Sequence, residues 1–298
     1  MRTEPPSADN ALQGVRAAIG HLEAQVRSGT APEDLRGAEF QVFSQWNEDG
    51  IIQHLLRHVP IEDPSFIEFG VEDYGEANTK FLLINDNWRG LIMDADRASL
   101  DRVTASEGFM RRYDLHVHAE TITRANLNEI VERHGFGGDI GLLSIDVDGN
   151  DYWLWEALSA ASPRIVVIEY NSTLGPHEAI TIPYDPDFDV WTAHQSWLYY
   201  GASLAALCVL ARRKAYTFVG CESHGCNAFF VRDDVAGRLP ALTAHEGYVP
   251  SRFRYARDAE GWIHVSDHRE RLALMADARY EDVATGTVRT VAEIYGVL

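Results

Sequence analysis

At 298 residues and 46% hydrophobic side chains, the chain can bury an ample core as one large domain with appendages or as two small domains. Its 45 acidic side chains against 26 basic ones, with Lys80 and Lys214 the only lysines, give a formal net charge of -19. Such a surface repels nucleic acid and anionic membranes as partners.

Cys208, Cys221 and Cys226 lack a CxxC spacing, which argues against a disulfide framework or a zinc site and for a reducing compartment. The polar start Met1–Asn10 is no secretory signal, and the most apolar stretch, Leu198–Ala211, falls short of the ~20 residues a membrane span needs. The reading is a cytoplasmic protein.

In chain order, Leu12, Val15, Ile19, Leu22 and Val26 recur at spacings of three and four, which predicts an amphipathic helix with a narrow stripe. That helix is expected to lie on the main domain or on a partner subunit, so a homo-oligomer through it or through the C-terminal arm is one expectation. Phe43-Ser-Gln-Trp-Asn-Glu-Asp-Gly50 then leads into Ile51, Ile52, Leu55, Leu56 and Val59 at helical spacing, with Asp49 placed as an N-cap.

From Ser65 short apolar runs alternate with helical patterns, which predicts an α/β fold with a mostly parallel sheet covered on both faces. Strands are expected near Phe66–Phe69, Gly90–Met93, Asp114–His118, Ile140–Ile145, Ile165–Ile168, Thr217–Gly220 and Ala228–Val231, the last two as an antiparallel pair. Helices fit at Asn78–Asn85, Ala98–Glu107, Arg124–His134, Tyr152–Ala160 and Leu204–Lys214. The Pro- and Asp-rich stretch Gly175–Ser196 reads as an ordered loop over the active face, and Trp191, Trp197, Tyr199 and Tyr200 could wall an acceptor pocket or pack in the core. The organisation expected is a helical segment at 1–60, a Rossmann-like domain at 61–238 and an accessory arm at 239–298 anchored by Phe253, Tyr255, Trp262 and Ile263.

The chemistry centres on Gly141-Leu-Leu-Ser-Ile-Asp-Val-Asp-Gly-Asn-Asp-Tyr152, where a buried run stops at Ile145 and three carboxylates follow. Asp146 stands at the end of a strand, where open α/β sheets place their ligands. Asp151 more simply starts the next helix, and Asp148 is open between the two roles. On the first strand, Glu68 and Gly70 offer an acceptor and a close backbone approach, in a loop without the three-glycine fingerprint that a pyrophosphate needs. Asp94, with Asp96 as its neighbour, ends the second strand where an acidic group holds ribose hydroxyls. Glu120, beyond the third strand, either meets an adenine or caps a helix.

Phe43-Ser-Gln-Trp-Asn-Glu-Asp-Gly-Ile51, Ile67-Glu-Phe-Gly-Val-Glu72 with Asn78-Thr79, Ser144-Ile-Asp-Val-Asp-Gly-Asn-Asp-Tyr152 and Gly225-Cys-Asn-Ala-Phe-Phe-Val231 resemble class I S-adenosylmethionine-dependent methyltransferases of the FkbM-like branch. The resemblance implies a seven-stranded sheet with the last strand antiparallel and S-adenosyl-L-methionine as cofactor. It implies a methyl donor lying across the ends of the first, second and fourth strands, with Glu68, Gly70, Asn78 and Thr79 on the methionine side and Asp94 on the ribose. The displaced Gly75 departs from the tight glycine cluster of many methyltransferases.

Asp146, Glu169 and Asn171 follow adjacent strands ~4.8 Å apart and could converge on Mg²⁺ or another divalent cation. Such a site is similar to that of metal-dependent sugar O-methyltransferases, with His224, His194 or His177 as a base. Alternatively these residues only hydrogen-bond the acceptor, a small molecule such as a sugar or a secondary metabolite. A metal-dependent glycosyltransferase using Asp146-Val147-Asp148, and a non-catalytic binding module, are the competing functions.

Overall fold

The computed structural model describes residues 8–251, 255–258, 260–265 and 267–297. Its strands are β1 (Ser65–Phe69), β2 (Arg89–Asp94), β3 (Leu115–Ala119), β4 (Gly138–Ile145), β5 (Ala161–Glu169), β6 (Ile180–Thr181), β7 (Tyr216–Cys221), β8 (Asn227–Arg232), β9 (Tyr255–Arg257), β10 (Ile263–Val265), β11 (Arg279–Asp282) and β12 (Val288–Thr290). Seven of them form one sheet in the order β3-β2-β1-β4-β5-β8-β7. Neighbours are parallel from β3 through β5, and β8 runs antiparallel to both β5 and β7. This is the Rossmann-like sheet expected, with its last strand reversed.

Alternation along each strand explains why the sheet is covered twice. Ile67, Leu91, Leu143 and Val166 face one apolar core, and Phe66, Ile92, Leu142 and Val167 face a second core on the other side. Helices Lys80–Asn85, Arg97–Ala105, Leu127–Arg133, Asp151–Ala157 and Leu204–Arg213 fill the connections, each shorter than the sequence patterns suggested. The strand order reverses between β1 and β4, which opens a crevice at the carboxyl edge of the sheet.

Of two expectations about the flanks, one holds and one is corrected. Helix Ala8–Val26 does lie on the main body, but through Ala17, Gly20 and Ala24 against Val42 and Phe81, where a Cβ on Gly20 would come within 2.4 Å of Val42. Its Leu12–Val26 stripe therefore points outward. At the other end, Trp262 and Ile263 are exposed and anchor nothing, and Phe253 lies outside the described residues. The C-terminal segment is held instead by Leu272, Met275, Tyr280, Val291 and Val297, which share a third core with Leu174, Ile180, Ile182 and Leu198. β11 adds to this by pairing with β6 inside the long loop after β5.

Candidate functional site

The register across the sheet brings one row of residues to its carboxyl edge. Phe69 lies opposite Met93 and Ile145, and Ile145 opposite Ile168, so Asp94, Gly70, Asp146 and Glu169, each the next residue along its strand, stand side by side. Glu169 in turn faces Asn227 on β8. This row floors a cavity of about 510 Å³ that Gln45, Glu68, Asn78, Asp148, Asn150 and Phe188 also line. Seven lining residues carry carboxylates, Glu68, Glu72, Glu76, Asp94, Asp146, Asp148 and Glu169, and the lining includes no Lys, Arg or His among the described residues.

The acidic turn is built from within. Asp151 is fully buried and accepts hydrogen bonds from the amides of Val147 (2.9 Å) and Gly149 (3.0 Å), so it begins its helix while its side chain reaches back to close the turn. Burial pushes its carboxyl up to about 6 against those two hydrogen bonds. The fold of this turn, with Asp148 at φ 54°, directs Asp148 towards its neighbours. Carboxylate oxygens of Asp146, Asp148 and Glu169 lie within 4.8 Å of one another. Gly149 lets the long loop close over this cluster, because a Cβ there would sit 2.4 Å from the Phe188 ring. Asn150 fastens the same loop by donating to the Asp185 carbonyl at 2.7 Å.

On the β1 side, Gly70 lines the cavity and also meets a packing need. At φ +73°, its missing Cβ makes room for the Asp146 carbonyl, which a Cβ would approach to 1.5 Å. Glu68 lines the cavity, yet its carboxylate already accepts from the amides of Asn78 (2.8 Å) and Thr79 (3.2 Å) and from the Thr79 hydroxyl. It therefore shapes the 70–79 loop, and burial raises its pKa. Thr79 is buried and bonded to Glu68 and Tyr74, away from the lining, whereas Asn78 remains on it. Asp94 lines the cavity and accepts from the amides of Glu72 and Asp96, each at 2.8 Å. Asp96 caps the following helix through Ala98.

The block before the sheet closes the other end. Asp49 is no N-cap: the helix starts at Glu48 after Asn47, and the buried Asp49 carboxylate accepts from the amides of Val42, Phe43 and Ser44 and from the Ser44 hydroxyl at 2.7–2.8 Å. That holds the 42–45 segment so that Gln45 reaches the cavity. Glu48 accepts from the Asn227 side chain at 2.8 Å, and burial, with the Glu222 charge next, pushes its carboxyl up to about 7.

Several expected site residues lie elsewhere. Asn171 is fully buried, accepts from the Thr173 amide and donates to the carbonyls of Leu198 and Tyr200, so it is a turn anchor and not a metal ligand. Asp148 takes its place, a residue the sequence reading left open. Glu120 is exposed, bonded to His118 and Asn126, and Thr121 and Ile122 line the cavity in its stead. His224 stacks on Trp46 at 4.7 Å and faces Glu222, His194 meets Asp277 at 3.1 Å, and His177 stacks on His245. None of the three lines the cavity, and neither do Trp191, Trp197, Tyr199 or Tyr200. The aromatic residues that line it are Phe69 and Phe188, and Phe188 packs on Tyr199 at 5.9 Å.

No protein-family model matches the sequence, and no curated protein matches it. Among solved structures the chain is similar to the N-terminal domain of EvdMO1 with SAH bound, at 10% identity over 76% of this chain and 97% of that one, with a TM-score of 0.40. It is similar also to an O-methyltransferase from Bacillus cereus in complex with SAH, at 13% identity over 72% and 89% of the two chains and a TM-score of 0.39. A methyltransferase from Geobacter sulfurreducens gives 13% identity over 76% and 90%, with a TM-score of 0.38.

Proposed function

We propose that the chain is an S-adenosylmethionine-dependent methyltransferase that methylates an oxygen of a small polar acceptor such as a sugar or a secondary metabolite, with assistance from a divalent cation. The observation that carries this reading is the row Asp94–Gly70–Asp146–Glu169 along one cavity at the reversal of strand order. It offers a carboxylate for ribose hydroxyls at one end and a cluster of carboxylates for an acceptor at the other. A cavity rich in carboxylates and lacking cationic side chains suits a sulfonium donor better than a diphosphate.

In this reading Asp94 accepts from the ribose, Asn78 and the 70–72 backbone hold the methionine portion, and the Phe188 loop covers the acceptor. A lone pair of the acceptor oxygen forms the new bond to the methyl carbon while the sulfur–carbon pair returns to sulfur. The proton leaves to a carboxylate of the Asp146–Asp148–Glu169 group. These hard oxygen donors fit Mg²⁺ or a similar ion, which when bound lowers the pKa of a hydroxyl and fixes its position. The protein's own contribution is orientation and exclusion of water.

The test is methyl transfer from S-adenosylmethionine to a panel of hydroxylated small molecules, with and without Mg²⁺, in three forms of the protein. Asp94→Ala is expected to weaken cofactor binding about tenfold or more, whereas Asp146→Ala abolishes turnover with cofactor affinity nearly kept. Equal loss of both properties in both variants contradicts this division of the site. The D-x-D reading of Asp146 and Asp148 as a glycosyltransferase motif keeps some support from their placement in one cluster, and the nucleotide-sugar titration below decides it.

A further inference from the structure

The edge strand β3 departs from the pattern of its neighbours. Register places His116 beside Leu91 and His118 beside Met93, both members of the first core, so two imidazoles continue a sheet face that is apolar on β2. Helix Leu127–Arg133 contributes Leu127, Ile130 and Val131 to the same core and is followed at its carboxyl end by His134. The His134 ring stands 5.2 Å from that of His118 and 5.8 Å from that of His116.

Each strand histidine has a carboxylate behind it: His118 Nε2 meets Glu120 Oε2 at 3.0 Å, and His116 Nε2 meets Asp114 Oδ1 at 3.4 Å. A carboxylate that takes the Nε2 proton in hydrogen bonding leaves the Nδ1 lone pair free to point the other way, the arrangement that orients metal-bound histidines. His118 Nδ1 faces His134 Nε2 at 3.4 Å. That span is long for a hydrogen bond from nitrogen, about 2.7–3.2 Å. It matches the ~3.3 Å between two nitrogens that share one tetrahedral ion at ~2.0–2.1 Å each. Burial, with the charges of His118 and His116 next, holds the His134 pKa below its ordinary value, which keeps the ring neutral and able to ligate.

We propose that His118 and His134 form a binding site for a divalent transition ion such as Zn²⁺, with His116 as the nearest further donor and water in the remaining positions. Imidazole nitrogens select such ions over Mg²⁺ and Ca²⁺, which the carboxylates of the cavity suit instead. The net charge of -19 favours cations in general. An ion held there ties the edge strand to the end of the helix that follows it. Glu120 extends that tie, because the Asn126 side chain donates to Glu120 Oε1 at 3.2 Å and to the carbonyl of Thr121, a lining residue of the cavity, at 3.0 Å. The site shares no residue with the Asp146–Asp148–Glu169 group, so it stands independently of the reaction proposed above.

The test is calorimetric titration of the full chain with Zn²⁺ in the presence of excess Mg²⁺, which competes for the carboxylate group. One-to-one binding at micromolar Zn²⁺ is expected, weakened about tenfold or more by His118→Gln and by His134→Gln and unchanged by Asp146→Ala. Zn²⁺ should also raise the melting temperature of the unmodified protein and not that of His134→Gln. Should the variants fold poorly, the unmodified protein still reports the site. Cu²⁺ with ascorbate oxidises the histidines that ligate it, and peptide mass spectrometry is expected to find the added oxygen on His118 and His134 and not on His177 or His245. Absence of Zn²⁺ binding, affinity retained in His134→Gln, or oxidation confined to histidines elsewhere each overturns the proposal.

Discussion

At the residue scale, the site depends on a few groups that cannot be exchanged. Gly70→Ala forces a Cβ to 1.5 Å from the Asp146 carbonyl at a positive φ. Denaturant melts are expected to show a loss of ~3 kcal/mol or more, against the fractions of a kcal/mol usual for a surface change. Glu48 carries a pH signature. Its folded-state pKa, about 7, lies above the ordinary 4.5, so the stability it contributes is complete below about pH 4.5 and is lost as pH rises through about 7. Glu48→Gln should therefore gain ~1–3 kcal/mol relative to the unmodified protein between pH 5 and pH 8. An identical difference at both values, in urea melts, contradicts the assignment. Asp94, Asp146 and Glu169 were legible in the sequence because each ends an apolar run, and parallel register then aligns the ends. Asn171 was not, because two residues beyond the strand its side chain turns inward to cap Ser172–Leu174.

At the element scale, the long loop after β5 is fastened to the acidic turn by Asn150 and by Phe188 over Gly149. Gly149→Ala displaces that ring, and the expected result is a KM for the acceptor raised about tenfold or more with cofactor affinity nearly unchanged. Equal weakening of both ligands would show that the loop does not belong to the acceptor end alone. Apolar runs marked the inner strands because two-sided burial leaves little room for polar residues in them, whereas the edge strand β3 carries His116 and His118 and is half-buried. Helix ends were less legible, since a cap such as Asn171 is positioned by groups remote in sequence, the carbonyls of Leu198 and Tyr200. The N-terminal helix shows a deeper limit. Its periodicity was readable, but periodicity alone cannot say which face meets the body, and small residues at Gly20 and Ala24 decided it.

At the scale of the whole molecule, the charge of -19 and the carboxylate-rich cavity act together on what can enter. Cationic S-adenosylmethionine should lose affinity when salt is raised from about 50 to about 500 mM, while uncharged-sulfur S-adenosylhomocysteine changes less. Parallel titrations measure this, and equal salt dependence of the two would show that the lining charges do not act on the sulfonium. Among the described residues no helix is long and apolar enough to cross a membrane. The C-terminal segment was read as an accessory arm, and among the described residues eleven buried ones drawn from it and from the loop after β5 form a common core. That core was hidden because its members are scattered over more than a hundred positions and are brought together by tertiary contacts such as the β6–β11 pairing and the Tyr295 hydroxyl donating to the Leu174 carbonyl.

The central claim is that the cavity between β1, β2 and β4 binds a methyl donor. Calorimetric titration of the full chain with S-adenosylhomocysteine, and separately with a sugar nucleotide, each with and without Mg²⁺, tests it most directly. Saturable one-to-one binding of S-adenosylhomocysteine, weakened by Asp94→Ala and indifferent to the sugar nucleotide, is the predicted result. Binding of the sugar nucleotide alone would contradict it.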